Sequence, residues 1–136
     1  MSAYLVAIVD VTDMDRYSVY MQHTPRVVAQ YGGRFIARGA APLTLEGPGN
    51  ELRNVVIEFD SADDAVAFYN SPEYGRCKEL RAGAATGQFF VLDGYPEDEW
   101  AAALAARRFP AVTVPSANSK FSTVRTRSVP SGLPLR

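Results

Sequence analysis

The chain has 136 residues, 47% apolar and 21% charged, the size and composition of one globular domain, which excludes wholesale disorder. A single cysteine, Cys77, and a single histidine, His23, exclude an internal disulfide, a thiolate zinc cluster and a multi-histidine metal centre within one chain, and no apolar run approaches the roughly 18 residues of a membrane span. The net charge of −1 hides a split: residues 1–100 carry 8 basic and 15 acidic side chains (−7), whereas residues 101–136 carry 6 basic ones and no acid (+6).

Residues 3–11, AYLVAIVDV, are β-rich and apolar on both alternating faces, with Tyr4, Val6 and Ile8 on one and Leu5, Ala7 and Val9 on the other. No basic stretch precedes this run and no small-residue cleavage pattern follows it, so the expectation is a cytoplasmic protein without a secretory signal. Thr12 and Asp13 offer N-caps for an amphipathic helix marked by Met14, Tyr17, Tyr20, Thr24, Val28 and Tyr31. Pro25 should kink that helix near Met21, and Gly32-Gly33 should end it. Residues 34–39 read as a second strand, which Leu43–Glu46 would continue as an edge beyond Pro42. After a turn at residues 47–50, residues 53–60 form a third strand with Val55, Ile57 and Phe59 on one face and Asn54, Val56 and Glu58 on the other. Ser61 caps a second helix, Ser71-Pro72 breaks and restarts it, and residues 88–93 form a fourth strand. The order is βαββαβ: an α+β, ferredoxin-like sandwich over residues 1–96, with two helices on one face of a four-stranded antiparallel sheet.

Residues 97–136 form a C-terminal extension. AAALAARRF reads as a short helix, followed by a Pro/Ser-rich basic arm. Val112, Val114, Phe121, Val124, Val129 and Leu133 would anchor that arm on the body or on a neighbouring subunit. Its charges are spread too thinly for a nucleic-acid footprint, with no basic run longer than two. The second apolar face of the first strand needs a cover that the two helices cannot supply. The expected cover is the same face of another copy, giving a homodimer that the arm could extend to a homotetramer.

Tyr31-Gly32-Gly33-Arg34-Phe35, Arg38-Gly39, Leu45-Glu46-Gly47, Val56-Ile57-Glu58-Phe59 and Ser71-Pro72-Glu73-Tyr74 stand in the order and spacing of a known group. Over about residues 3–95 the chain resembles the domain of unknown function 1330 family, within the dimeric α/β-barrel superfamily. The resemblance implies the ferredoxin-like fold and the dimer, and no assigned reaction. The wider superfamily resembles a set of small-molecule enzymes and binders, including cofactor-free monooxygenases, whose ligands sit between sheet and helices or inside the barrel; this is analogy at the level of fold.

Arg38, on a strand in apolar surroundings, calls for a carboxylate partner: Glu58, Glu46 or an acidic ligand. A structural ion pair weighs more than a ligand clamp there. His23 is the default general base, although its neighbours Gln22 and Arg26 are polar and a solvent-facing role is the blander reading. Tyr69, Ser71, Tyr74 and Arg81 flank the broken second helix and could line one end of a cleft, with the helix start receiving an anion. Cys77 reads as a small buried hydrophobe. No nucleophile triad is visible, no cofactor is expected, and haem held by His23 is a weak alternative. The expectation is a small-molecule-binding protein or cofactor-independent enzyme acting on a small acidic or aromatic metabolite. Arg38 and Glu58 would orient the ligand, and His23 or a tyrosine would move a proton. The opposing reading is a non-catalytic assembly module. A large closed pocket lined by Arg38, Glu58 and Tyr69 favours the first, a filled interior the second.

Overall fold

The computed structural model describes residues 2–106, so the basic arm and its six anchors lie outside the described residues. The elements run β1 (Ala3–Val11), α1 (Met14–Gln30), β2 (Arg34–Arg38), β3 (Arg53–Phe59), α2 (Ala62–Tyr69), α3 (Pro72–Arg81), β4 (Ala85–Asp93) and α4 (Glu97–Ala105). The sheet order is β2-β3-β1-β4 with every pairing antiparallel, which is the ferredoxin-like arrangement.

Local chemistry sets the boundaries. The Asp13 carboxylate accepts the Arg16 amide at the start of α1, and the Ser61 and Ser71 hydroxyls accept the Asp64 and Tyr74 amides at the starts of α2 and α3. Gly32, at φ +81°, turns the chain out of α1, and a Cβ on Gly33 would come within 2.6 Å of the Phe59 ring, so this close approach needs glycine. β4 begins at Ala85, earlier than its apolar run suggests, because β1 pairs with it along its whole length from Ala3↔Asp93 to Val11↔Ala85. The expected edge continuation at Leu43–Glu46 does not form. Pairing of β2 with β3 ends at Arg38↔Val55, β3 starts only two residues earlier at Arg53, and no strand remains for residues 43–46 to join; Leu43 and Leu45 stand exposed. The extra helix starts at Glu97, four residues before the alanine run, where Glu97, Asp98 and Glu99 favour its N-terminal dipole. No helix among the described residues is long and apolar enough to cross a membrane.

Leu5, Ala7, Val9, Val55, Ile57 and Phe59 face α1, α2 and α3 and are buried. Phe68 is the hub of the core, with its ring 4.7 Å from Tyr74, 5.4 Å from Phe59 and 6.3 Å from Tyr31. Burying a side chain of this size contributes about 1.5–3 kcal/mol. α1, α2 and α3 all lie on the core side of the sheet and leave the opposite face open. Its central rung is Ala37–Val56–Val6–Phe90, flanked by Arg34–Glu58–Tyr4–Leu92 on one side and Asn54–Ile8–Gln88 on the other. Phe90 and Leu92 are exposed, and Tyr4, Val6, Ile8 and Val56 only half-buried.

Candidate functional site

Two backbone irregularities shape the space between sheet and helices. The first is Pro25, which lies inside α1 without interrupting it. Proline has no amide proton, so the carbonyl four residues back, that of Met21, loses its helical partner. Arg38 supplies a replacement: its Nη2 donates to the Met21 carbonyl at 2.8 Å. The second is a bulge in β2, where Phe35 pairs with Ile57 and Ala37 with Val56, so two residues of β2 span one step of β3. Strict alternation would put Arg38 on the same face as Arg34. The bulge resets the parity and turns Arg38 to the helix side with Phe35, its guanidinium 4.2 Å above that ring.

The bulge therefore corrects one sequence expectation. Arg38 and Glu58 do not pair, because they occupy opposite faces of the sheet. Glu58 is held by Arg34, at 3.0 Å from Nη2 and 3.1 Å from Nε, and this is the one ion pair among the described residues. Glu46, the other candidate partner, is exposed in the loop and makes no ion pair among the described residues.

The helix-side cleft is lined by Leu5, Ala7, Val9, Val28, Val55 and Ile57, by the rings of Tyr17, Tyr20, Phe35, Phe68, Tyr74 and Phe89, and by Met21, Thr24, Arg38 and Arg53. Arg38 is its exposed residue, with Met21, Phe35 and Arg53 half-buried beside it, so the mouth lies there. The enclosed space is about 30 Å³, room for a water molecule or two. At the inner end the Tyr20 and Tyr74 hydroxyls meet at 2.7 Å, and Arg81 Nη2 reaches the Tyr74 oxygen at 3.5 Å. Burial, and then the neighbouring Tyr74, pushes the Tyr20 phenol above the ordinary tyrosine range; burial also raises Tyr74. Both therefore remain protonated hydrogen-bonding groups at physiological pH. Among the described residues the lining contains no carboxylate, imidazole, thiol or amine.

The other residues singled out from sequence fall in different places. His23 is exposed on α1 and lines a shallow outer groove between α1 and α3 with Arg26, Glu73, Arg76 and Cys77, not the cleft. Tyr69 stacks between Tyr74 and Phe89 under the Lys78 ammonium and faces a shallow depression beside β4. The Ser71 hydroxyl accepts the Tyr74 amide and donates to the Phe68 carbonyl, so it serves the α3 start itself. Arg81 lies over the rings of Phe89 and Tyr20, behind the cleft. Tyr74, Arg81 and Arg38 are thus assembled around one cleft, while His23, Glu58, Tyr69 and Ser71 are not among its lining residues. Sequence reading missed Tyr20 as the partner of Tyr74, and it missed Arg53. The signal for Arg53 was parity, since it shares a face with Val55, Ile57 and Phe59. Among the described residues no group of three or more His, Cys, Asp or Glu is placed to hold a metal.

A family model described as "Domain of unknown function (DUF1330)" matches residues 2–95. No curated protein matches the sequence. Among solved structures, a protein of unknown function from Rhodopseudomonas palustris aligns at 20% identity with a TM-score of 0.56, covering 70% of this chain and 83% of that one. A protein from Jannaschia sp. CCS1, described as dimeric, ferredoxin-like and of unknown function, aligns at 11% identity and a TM-score of 0.53, over 69% of this chain and 100% of that one. SnoaB from Streptomyces nogalater, described as a cofactor-independent oxygenase, aligns at 12% identity and a TM-score of 0.50, over 70% of this chain and 94% of that one. Identities this low establish a shared fold and nothing finer.

Proposed function

The chain belongs to the domain of unknown function 1330 family, and from that premise we propose that it is a homodimeric small-molecule-binding protein whose ligand enters the cleft between the sheet and α1. The observation that carries this reading is the composition of the cleft: an apolar and aromatic wall into which a few polar groups converge, the common make-up of a small-molecule site. The dimer is supported by the apolar rung Ala37–Val56–Val6–Phe90, which α1, α2 and α3 leave open, and by the dimeric description of the Jannaschia neighbour. Among the described residues the lining offers no carboxylate or imidazole as an ordinary general base, which favours binding over acid–base catalysis. His23 cannot serve a ligand there without a rearrangement of α1.

The enclosed 30 Å³ favours a second reading, an assembly module with a filled interior. Native mass spectrometry of the full chain, released under gentle conditions, separates the two. A dimer carrying a reproducible small-molecule mass increment supports binding. A dimer of bare polypeptide mass from several growth conditions supports the module, and a monomer at micromolar concentration removes the dimer from both.

A further inference from the structure

We propose that Arg38 and Arg53 together form a carboxylate clamp at the mouth of the cleft, so that the ligand class is a small monocarboxylate with an apolar or aromatic body. The proposal rests on the cleft being a ligand site and adds the chemistry it selects.

Both arginines face the helix side: Arg38 pairs with Val55, and Arg53 lies two residues before Val55 on the same face. They are diagonal neighbours, a relation that separates residues by about 7–8 Å and their Cβ atoms by somewhat less, within reach of one ligand group for side chains this long. Both line the cleft, and neither has a carboxylate within ion-pair distance among the described residues. Asp10 and Glu51 border the shallow groove on the other side of Arg53 but make no ion pair with it. Arg53 Nε is buried without a hydrogen-bond partner, and Arg38 uses one of its five donors on the Met21 carbonyl. Two adjacent guanidinium groups without an acid repel each other, and a partly buried one with an idle donor carries a desolvation cost; a shared anion removes both penalties.

The backbone is adapted to this placement. Gly39 has φ +88°, and a Cβ there would fall on the Arg53 guanidinium, so any other residue would push Arg53 away from its position over the Tyr17 ring. The rest of the lining selects among oxyanions. A phosphate would bring two charges to a wall of Val, Ile, Phe and Tyr with no further cation lining it. A carboxylate is planar, matches the guanidinium fork, and leaves a body for the aromatic wall. Entry of a ring requires the half-buried Met21 and Phe35 to give way, and methionine does so readily.

The test is a set of NMR titrations of the full-length protein with benzoate, benzamide and inorganic phosphate, following the methyl signals of Ala7, Val9, Val28 and Val55. Benzoate is expected to shift these signals saturably, with benzamide at least ten-fold weaker and phosphate without effect on them. Arg53→Met should weaken benzoate at least ten-fold and leave benzamide unchanged. Arg53→Lys, which keeps the charge and loses the fork, should fall between, and it serves as the folded control if Arg53→Met is unstable. Equal shifts by benzoate and benzamide, or an Arg53→Lys protein that binds benzoate as the wild type does, would overturn the clamp while leaving the cleft as a site. Phosphate binding more tightly than benzoate would overturn the carboxylate class. Silence of these methyls to all three probes would overturn the clamp and count against the cleft itself.

Discussion

Replacing Tyr74 by phenylalanine removes one oxygen from the buried chain Tyr20–Tyr74–Arg81 and strands the groups on either side of it. Tyr20, 8% exposed, would keep a hydroxyl with no partner, and Arg81 Nη2 would lose its contact. An orphaned buried hydroxyl costs about 1–3 kcal/mol, and the Arg81 contact adds little because 3.5 Å is long for a hydrogen bond, so Tyr74→Phe should cost about 2 kcal/mol. Tyr20→Phe should cost less, about 1 kcal/mol, since the Tyr74 oxygen still accepts from Arg81. The double substitution leaves no stranded phenol and keeps both rings packed. It should therefore cost about 1 kcal/mol, well below the sum of the singles, with a coupling of about 2 kcal/mol. Urea unfolding at fixed protein concentration, with unchanged m-values, measures all three. If the double variant loses the sum of the singles, or Tyr20→Phe is the costlier change, the hydroxyl chain is not the connected unit described above.

The same pair predicts an alkaline limit. Both phenols are held above the ordinary tyrosine value, whereas unfolded tyrosines release their protons near pH 10. Above that pH the native state binds more protons than the unfolded one, so this contribution to stability is complete below about pH 10 and is lost as the pH rises. Urea midpoints should fall more steeply between about pH 9 and pH 11 in the wild type than in the double phenylalanine variant; parallel curves would refute the assignment. Cys77 is buried and its thiol pushed up by that burial, so the native protein should resist iodoacetamide near pH 8 while the urea-unfolded chain reacts fully. Val6→Asp puts a charge on the central rung of the open face and should yield monomers by sedimentation; an unchanged dimer mass would place the subunit contact elsewhere. Pro25→Ala restores an amide to the Met21 carbonyl, so Arg38→Met should cost about 1 kcal/mol in the wild type and clearly less in the Pro25→Ala background.

Much of the fold was legible because its signals are local. The two-faced apolar run of β1, the Ser61 and Ser71 caps, Pro72 at the start of α3 and Gly32-Gly33 after α1 each state their geometry within a few residues. The site was less legible because it depends on parity across strands. Reading β2 as unbroken alternation puts Arg38 and Glu58 on one face, and nothing in RFIARG announces that Ile36 and Ala37 share a step of β3. The third strand is read from Val55, Ile57 and Phe59 on one face and Asn54, Val56 and Glu58 on the other, and Arg53, whose parity with Val55 places it inside, is not weighed. Pro25 announces a hydrogen-bond deficit at the Met21 carbonyl, but the donor that fills it comes from another element 17 residues away in sequence.

The bulge in β2 acts as a phase switch for everything C-terminal to it in that strand. Losing the bulge with the chain intact, so that Ile36 took Val56 and Ala37 took Val55, would restore plain alternation and rotate residue 38 out of the interior, onto the face that carries Arg34. One step of register would thus take a cation from the mouth of the cleft and seat a second arginine in the proposed subunit seam. Whether Ile36 and Ala37 share that step or take one each decides which side of the sheet receives this guanidinium.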